Sequence, residues 1–193
     1  MGSKRLFIGI PLDHKIIKAC VRVQEHFEGR KTIRWMPPEN LHITLFFIGK
    51  VEEPEIPSLS ELLSRIGSST KPFSLQLERY CYAPEGKPRM IWAQFETNVS
   101  FTALANTIKK QVGFLREDEE KKEPLPHATL ARMKHLPATD RLKLLPAPSL
   151  VMSINSFNLY ESLLSSSGSH YAVMSSFPMH PGEHIRLKLL PCS

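Results

Sequence analysis

The sequence predicts an α+β fold of two pseudo-symmetric lobes, built mainly of antiparallel sheet with the helices on the outside. Two observations predict it. Short β-prone segments joined by hairpin-like turns alternate with helical stripes along the chain, and one four-residue phrase occurs twice, at 42–45 and at 127–130. Two copies so far apart favour a duplicated unit over a solenoid, which needs more and shorter repeats. We therefore expect one bilobal domain over residues 1–193.

The first half of the chain gives clear element signals. Pro11 ends a first strand, Asp13 stands where a helix N-cap belongs, and Gly49 is expected to end the strand that carries the first phrase. Strands are expected at 5–10, 33–36, 41–48, 72–80 and 89–96, and helices at 13–27, 56–66 and 101–112.

The second half is more irregular. A charged run from Arg116 to Glu123 is interpreted as a solvated loop. A strand is expected at 127–133, a short helix at 137–145, one alternating strand at 150–160, a Ser/Gly-rich turn at 163–169, and strands at 171–177 and 184–190.

Composition excludes several classes of protein. No apolar run approaches the ~20 residues that cross a bilayer, and the N-terminus lacks the pattern of a signal peptide. Cys20, Cys81 and Cys192 are odd in number and far apart, which indicates reduced thiols in a cytoplasmic protein. A formal charge of +6 favours polyanionic partners. We expect a monomer without a membrane anchor.

The repeated phrase is His42-Ile43-Thr44-Leu45 and His127-Ala128-Thr129-Leu130. With 8 His in 193 residues, random order gives roughly 0.04 His-x-Thr-Leu matches, so two copies are a signal. In a strand each His and the Thr two residues on share a face, while the residues between point into the core. Two such strands at one cleft supply two imidazoles for acid–base work and two hydroxyls for phosphoryl oxygens.

Other interpretations of the histidines are weaker. Zinc sites place His at i, i+4 on a helix or beside Cys or carboxylate ligands, and here only Glu39 lies near His42 in the sequence. The sequence contains no Gly-x-Ser-x-Gly elbow, so it gives no indication of a serine hydrolase. The remaining six histidines, which lack the motif, are expected to be surface residues: His14, His26, His135, His170, His180 and His184. We expect neither a metal nor another cofactor.

The surroundings of the two motifs carry a family resemblance. The segments from Arg34 to Gly49 and from Pro126 to Arg132 resemble the two-histidine (2H) phosphoesterases, and most closely their RNA 2′,3′-cyclic phosphodiesterase branch, long called 2′-5′ RNA ligases. The resemblance extends from the Arg5–Ile10 strand to Tyr171. It implies a central cleft between the lobes that carries both His-x-Thr strands.

The resemblance also implies an activity: metal-independent opening of RNA or nucleoside 2′,3′-cyclic phosphates to a 2′-phosphomonoester. His127 is then the proton acceptor and His42 the proton donor, with Thr44, Thr129 and Arg132 on the substrate phosphate. The alternatives are a non-catalytic module that binds AMP or RNA, and a phosphodiesterase for 2′-5′ oligoadenylates or cyclic ADP-ribose phosphates. The partners are RNA ends or nucleotides in each case.

The positions of two candidate site residues, Arg132 and Phe46, depend on whether their strands alternate regularly. Strict alternation places Arg132 on the face opposite His127 and Thr129, so the strand must end, bulge or twist for its guanidinium to reach the cleft. The same alternation places Phe46 on the face of His42, where its ring could stack a nucleobase. Phe7, Trp35 and Tyr160 are further aromatic candidates, and core packing is the expected role of Phe7 and Trp35.

Overall fold

The structure is a computed structural model, and it describes residues 2–27, 29, 32–115, 123–133, 143–165 and 168–180. Its strands are β1 (Ser3–Pro11), β2 (Ile33–Trp35), β3 (His42–Glu52), β4 (Phe73–Ala83), β5 (Met90–Phe95), β6 (His127–Met133), β7 (Val151–Ile154), β8 (Ser156–Ser165) and β9 (Gly168–Pro178). Its α-helices are α1 (His14–His26), α2 (Ile56–Ser69) and α3 (Val99–Val112).

The strands form one sheet in the order β7-β4-β5-β6-β3-β1-β8-β9, with β2 paired to β6. Every pair within the described residues is antiparallel. Four strands therefore lie on each side of the contact between β6 and β3, and these two strands carry the repeated motifs. The expected α+β fold with two pseudo-symmetric halves is confirmed.

The three helices cover one face of the sheet. Asp13 caps α1 as expected, because its Oδ1 accepts a hydrogen bond from the Ile16 amide at 2.8 Å. Buried residues of all three helices join the inward side chains of the strands in a single apolar core, which includes Ile43 and Ala128 between the motif residues. The opposite face of the two motif strands is left open for polar side chains.

The segment from Leu150 to Tyr160 is two strands, so the expectation of one continuous strand was wrong. The chain bends at Asn155, whose carbonyl accepts a hydrogen bond from the Met179 amide at 2.7 Å. β7 then pairs with β4 at one end of the sheet, while β8 pairs with β1 in the other half. The burial pattern changes at the bend: Met152 and Ile154 alternate with exposed residues before it, whereas residues 157–160 after it are all buried.

Gly49 does not end β3, which continues to Glu52. The β1–β3 register pairs Leu6 with Gly49 and Phe7 with Phe47, so β3 holds an extra residue there. Gly49 has φ +98°, a conformation that glycine adopts without steric cost in such a bulge.

Several expectations lie outside the described residues: most of the charged run at 116–123, residues 137–142 of the short helix, the strand at 184–190, His135, His184 and Cys192. Residues 143–145, which complete the expected short helix, form no regular element. Cys20 and Cys81 are free thiols. Among the helices of the described part of the chain, none is long and apolar enough to cross a membrane.

Candidate active site

The two motifs meet at the centre of the sheet. β3 and β6 are antiparallel neighbours in which Ile43 is the partner of Ala128. In such a pair the residue before Ile43 faces the residue after Ala128, so His42 lies beside Thr129 and Thr44 lies beside His127. The two strands thus place two imidazoles and two hydroxyls as a quartet on one open face.

Each motif strand contains an extra residue at its motif leucine. β1 pairs Ile8 with Phe46 and Gly9 with Thr44, which leaves Leu45 as the extra residue in β3. In the same way β5 pairs Ile91 with Ala131 and Trp92 with Thr129, which leaves Leu130 as the extra residue in β6. A bulge of one residue reverses the alternation of faces beyond it.

The reversal brings Arg132 to the open face. Leu130 and Ala131 are both buried in succession, and Arg132 is exposed, as His127 and Thr129 partly are. The bulge required for Arg132 to reach the cleft is therefore present.

The reversal also corrects the expectation for Phe46. Phe46 is only 4 % exposed and belongs to the apolar core, so it does not share a face with His42 and Thr44. Phe47 is 51 % exposed instead. Its ring lies 5.8 Å from the ring of Phe7, which in turn lies 4.8 Å from the imidazole of His42.

His42 is held in one tautomer by its own strand. Its Nδ1 lies 2.7 Å from the carbonyl oxygen of Asn40; a carbonyl can only accept, so Nδ1 carries the proton. Nε2 then points to Thr44, with its hydroxyl oxygen 3.1 Å away. This geometry leaves Nε2 as the atom that exchanges a proton on the open face.

Asn40 connects His42 to the far hairpin of the sheet. It is 2 % exposed, its Nδ2 donates to the Ser169 carbonyl at 2.8 Å, and its Oδ1 accepts from the Tyr171 amide at 3.3 Å. The Tyr171 ring meets the His42 ring edge-on at 5.2 Å. The β8–β9 hairpin therefore supports the position of His42.

His127 repeats the arrangement in the other half. Its Nδ1 donates to the Leu125 carbonyl at 2.8 Å, the same two-residue offset as between His42 and Asn40. The indole of Trp92 stacks on the imidazole with 3.8 Å between ring centroids. His127 is therefore also oriented with Nε2 free for proton transfer.

The two halves of the sheet differ in the residue that the neighbouring strand places opposite each motif threonine. Trp92 is the partner of Thr129, and Gly9 is the partner of Thr44. A Cβ at Gly9 would lie 3.1 Å from Cδ2 of His42 and 3.0 Å from the carbonyl oxygen of Ile43. The glycine thus makes room for the His42 ring, which is surrounded by the rings of Phe7, Tyr160 and Tyr171.

Burial sets the proton affinity of both imidazoles. It lowers the pKa of His42 to about 4, and the nearby His127 charge lowers it further while the Asn40 carbonyl opposes the shift. Burial also lowers the pKa of His127, against the effect of the Leu125 carbonyl. Both rings are therefore mainly neutral near pH 7.

The donor set does not suit a metal ion. Within the ranges that the structure describes, no three His, Cys, Asp or Glu side chains lie together as ligands. Glu39, the carboxylate nearest to His42 in sequence, is exposed on a short 3-10 turn. His14, His26, His170 and His180 are exposed, as expected for residues outside the motifs.

Sequence reasoning missed three contributors, Phe47, Trp92 and Asn40. Phe47 was hidden by the bulge, although its position five residues after His42 matches that of Arg132 after His127. This repeated five-residue offset was the only feature of the sequence that indicated Phe47 as a site residue. Trp92 and Asn40 act through contacts that only the folded sheet creates.

Comparison with known proteins agrees with this geometry. The model of the family "LigT like Phosphoesterase" matches residues 10–92. An RNA 2′,3′-cyclic phosphodiesterase of Thermus thermophilus is 31% identical over 196 residues, covering 94% of this chain and 93% of that protein. A crystal structure of a Thermus thermophilus protein superposes with a TM-score of 0.81 and 31% identity, over 93% of this chain and 100% of the other.

A more distant neighbour shares the fold. E. coli LigT, crystallised with 3′-AMP, is 22% identical and superposes with a TM-score of 0.78 over 92% of this chain and 99% of its own. With two His-x-Thr strands paired at the centre of this sheet, the chain belongs to the LigT-like phosphoesterases of the two-histidine (2H) superfamily.

Proposed function

We propose that this protein hydrolyses RNA or nucleoside 2′,3′-cyclic phosphates to 2′-phosphomonoesters, without a metal ion. One observation carries the proposal: the paired motif strands present two imidazoles, each held by a backbone carbonyl at Nδ1, together with two hydroxyls on one open face. The activity of the Thermus thermophilus relative supports the choice of substrate.

In the proposed reaction His127 takes a proton from water as the water oxygen forms a bond to phosphorus. The bond from phosphorus to O3′ breaks, and His42 gives its proton to O3′, so that a 3′-hydroxyl and a 2′-phosphate remain. Proton exchange with solvent then restores both histidines. Paired general acid and base of this kind contribute ~10²–10⁴-fold each.

This division of labour requires a proton on His42, although burial lowers the pKa of its imidazole. The negative charge of a bound cyclic phosphate raises the pKa of a nearby imidazole. The rings of Phe7, Tyr160 and Tyr171 all lie within 6 Å of the His42 ring, a distance at which aromatic rings favour a cationic imidazolium. These two effects support His42 as the proton donor.

The other open-face residues serve binding. Thr44 and Thr129 donate to the non-bridging phosphoryl oxygens, where charge builds up in the transition state. Arg132 neutralises that charge with its exposed guanidinium. Phe47, exposed beside the quartet, stacks on the base in place of the buried Phe46.

The site is complete within one chain, which supports a monomer acting on RNA ends. The free thiols of Cys20 and Cys81 are typical of a reducing compartment and support a cytoplasmic location.

The test is incubation with an oligonucleotide that ends in a 2′,3′-cyclic phosphate, in excess EDTA. We expect a 2′-phosphate product from the wild type and almost none from the variant that carries His42→Ala and His127→Ala together. Activity lost in EDTA and restored by zinc would overturn the metal-free reaction. Binding of the oligonucleotide without turnover would instead establish a binding module.

A further inference from the structure

The side chain of Asn40 binds the last strand of the sheet. Asn40 ends the short 3-10 turn before β3 and is only 2 % exposed. Its Nδ2 donates to the Ser169 carbonyl at 2.8 Å, and its Oδ1 accepts from the Tyr171 amide at 3.3 Å. Ser169 and Tyr171 belong to β9, which ends the strand order beside β8. One side-chain amide therefore pairs with an acceptor and a donor of the same strand.

The main chain of Asn40 orients His42. Its carbonyl oxygen accepts a hydrogen bond from Nδ1 of His42 at 2.7 Å. The ring of Tyr171, whose amide Asn40 holds, meets the His42 ring edge-on at 5.2 Å. Since the side chain and the carbonyl belong to one residue, a displacement of β9 changes both contacts. The orientation of His42 therefore depends on β9, although β9 is the third strand from β3 in the sheet.

His127 is oriented without such a link. The carbonyl that accepts from its Nδ1 belongs to Leu125, whose side chain has neither a donor nor an acceptor. The indole that stacks on His127 comes from β5, which is paired directly with β6. A displacement of β9 therefore changes the contacts of His42 and leaves these contacts of His127 in place.

A proton donor must present the correct ring nitrogen at the correct distance. A neutral imidazole has two tautomers, and the hydrogen bond at one nitrogen selects which of them is present. Without the bond from Nδ1 to Asn40, the His42 ring is free to rotate or to carry its proton on Nε2. A misplacement of about 1 Å at a reacting group is enough to lower the rate by up to about 100-fold.

We propose that Asn40 is a positioning residue for the proton donor. By holding β9 with its side chain and His42 with its carbonyl, it selects the Nδ1–H tautomer and directs Nε2 toward the leaving O3′. This inference rests on the proposed function of the cleft. It makes the β8–β9 hairpin part of the acid half of the site and leaves the base half independent of that hairpin.

The experiment separates protonation of the leaving group from the rest of the reaction. One substrate is an oligonucleotide that ends in a 2′,3′-cyclic phosphate, and the other is its 3′-thio analogue, whose sulfur leaves without protonation. Asn40→Ala should lower kcat about 10- to 100-fold on the first substrate and less than about threefold on the second. Asn40→Ser, whose hydroxyl replaces at most one of the two bonds, should show the same pattern with a smaller loss, and it provides the test if Asn40→Ala does not fold.

A second measurement does not depend on activity. NMR chemical shifts of the ring nitrogens report the tautomer of each imidazole above pH 7, where both rings are mainly neutral. In the wild type both histidines should be in the Nδ1–H form. Asn40→Ala should convert His42 to a mixture of tautomers and leave His127 unchanged.

Asn98→Ala is the matched control. The Asn98 side chain also makes two hydrogen bonds to the main chain, at the start of α3, which packs on the face of the sheet away from the cleft. This variant should behave as the wild type in both measurements. Equal losses on both substrates in Asn40→Ala, or an unchanged His42 tautomer, overturn the role of Asn40. A wild type that hydrolyses neither substrate overturns the proposed function, and the tautomer of His42 then still decides the role of Asn40.

Discussion

Phe47 and Arg132 occupy equivalent positions in the two halves of the cleft. Each is the fifth residue after its motif histidine, and each reaches the open face because its strand holds an extra residue at the motif leucine. The same one-residue bulge occurs in both strands, and only the side chain at the fifth position differs. One half therefore offers an aromatic ring and the other a cation, which suits a ligand with a base and a phosphate.

Phe47 is exposed and its neighbour Phe46 is buried, so only Phe47 is expected to contact the base. Phe47→Ala should raise KM for a nucleoside 2′,3′-cyclic phosphate by about 5- to 150-fold, since base stacking contributes roughly 1–3 kcal/mol, and should leave the unfolding free energy nearly unchanged. Phe47→Tyr keeps the ring and should keep the KM. Steady-state kinetics and denaturant unfolding measure both effects.

Phe46→Ala serves as the contrasting variant. It removes a ring that is 4 % exposed in the core and should cost about 3–5 kcal/mol of stability. If Phe46→Ala raised KM while Phe47→Ala did not, the placement of the two rings would be wrong.

The two histidines should differ in their dependence on the leaving group. Either His42→Ala or His127→Ala should lower kcat/KM by ~10²–10⁴-fold on the oxygen substrate. A 3′-thio analogue, whose sulfur leaves without protonation, should restore activity to His42→Ala and not to His127→Ala. Rescue of His127→Ala alone reverses the assignment, and little loss in either variant removes the two-histidine mechanism.

The pH dependence follows from the lowered pKa values. Both imidazoles have pKa values below the usual 6.5, that of His42 near 4, so the singly protonated pair becomes rarer as pH rises past neutrality. In the free enzyme kcat/KM should therefore be greatest below pH 6.5. Bound phosphate raises both pKa values, and the optimum of kcat should lie at higher pH. A kcat/KM maximum above pH 7 would contradict this prediction.

Trp92 is expected to affect both the pKa and the position of the His127 ring. Its indole covers one face of the imidazole at 3.8 Å and helps to exclude the water that would stabilise the charged ring. Trp92→Leu should therefore raise the pKa of His127 toward 6.5 and lower kcat/KM by about three- to tenfold as the ring loses its support. Trp92→Phe should change both less. An NMR titration of His127 measures the shift, and an unaltered titration in Trp92→Leu would show that the indole has no such role.

The sequence by itself determined the family, the α+β class and the two His-x-Thr strands. It could do so because alternation at 42–45 and 127–130 is local, and because helix caps such as Asp13 depend on residues only three positions away. These patterns depend only on residues that are close together in the sequence.

The tertiary structure decided which side chains share the cleft. The extra residues at Leu45 and Leu130 become visible only when β3 and β6 are aligned with β1 and β5, and they move Phe47 and Arg132 to the open face while burying Phe46. The bend at Asn155 likewise depends on Met179, a residue far along the chain. A bulge is a relation between neighbouring strands, so the extra residue is identified only when the strands are paired.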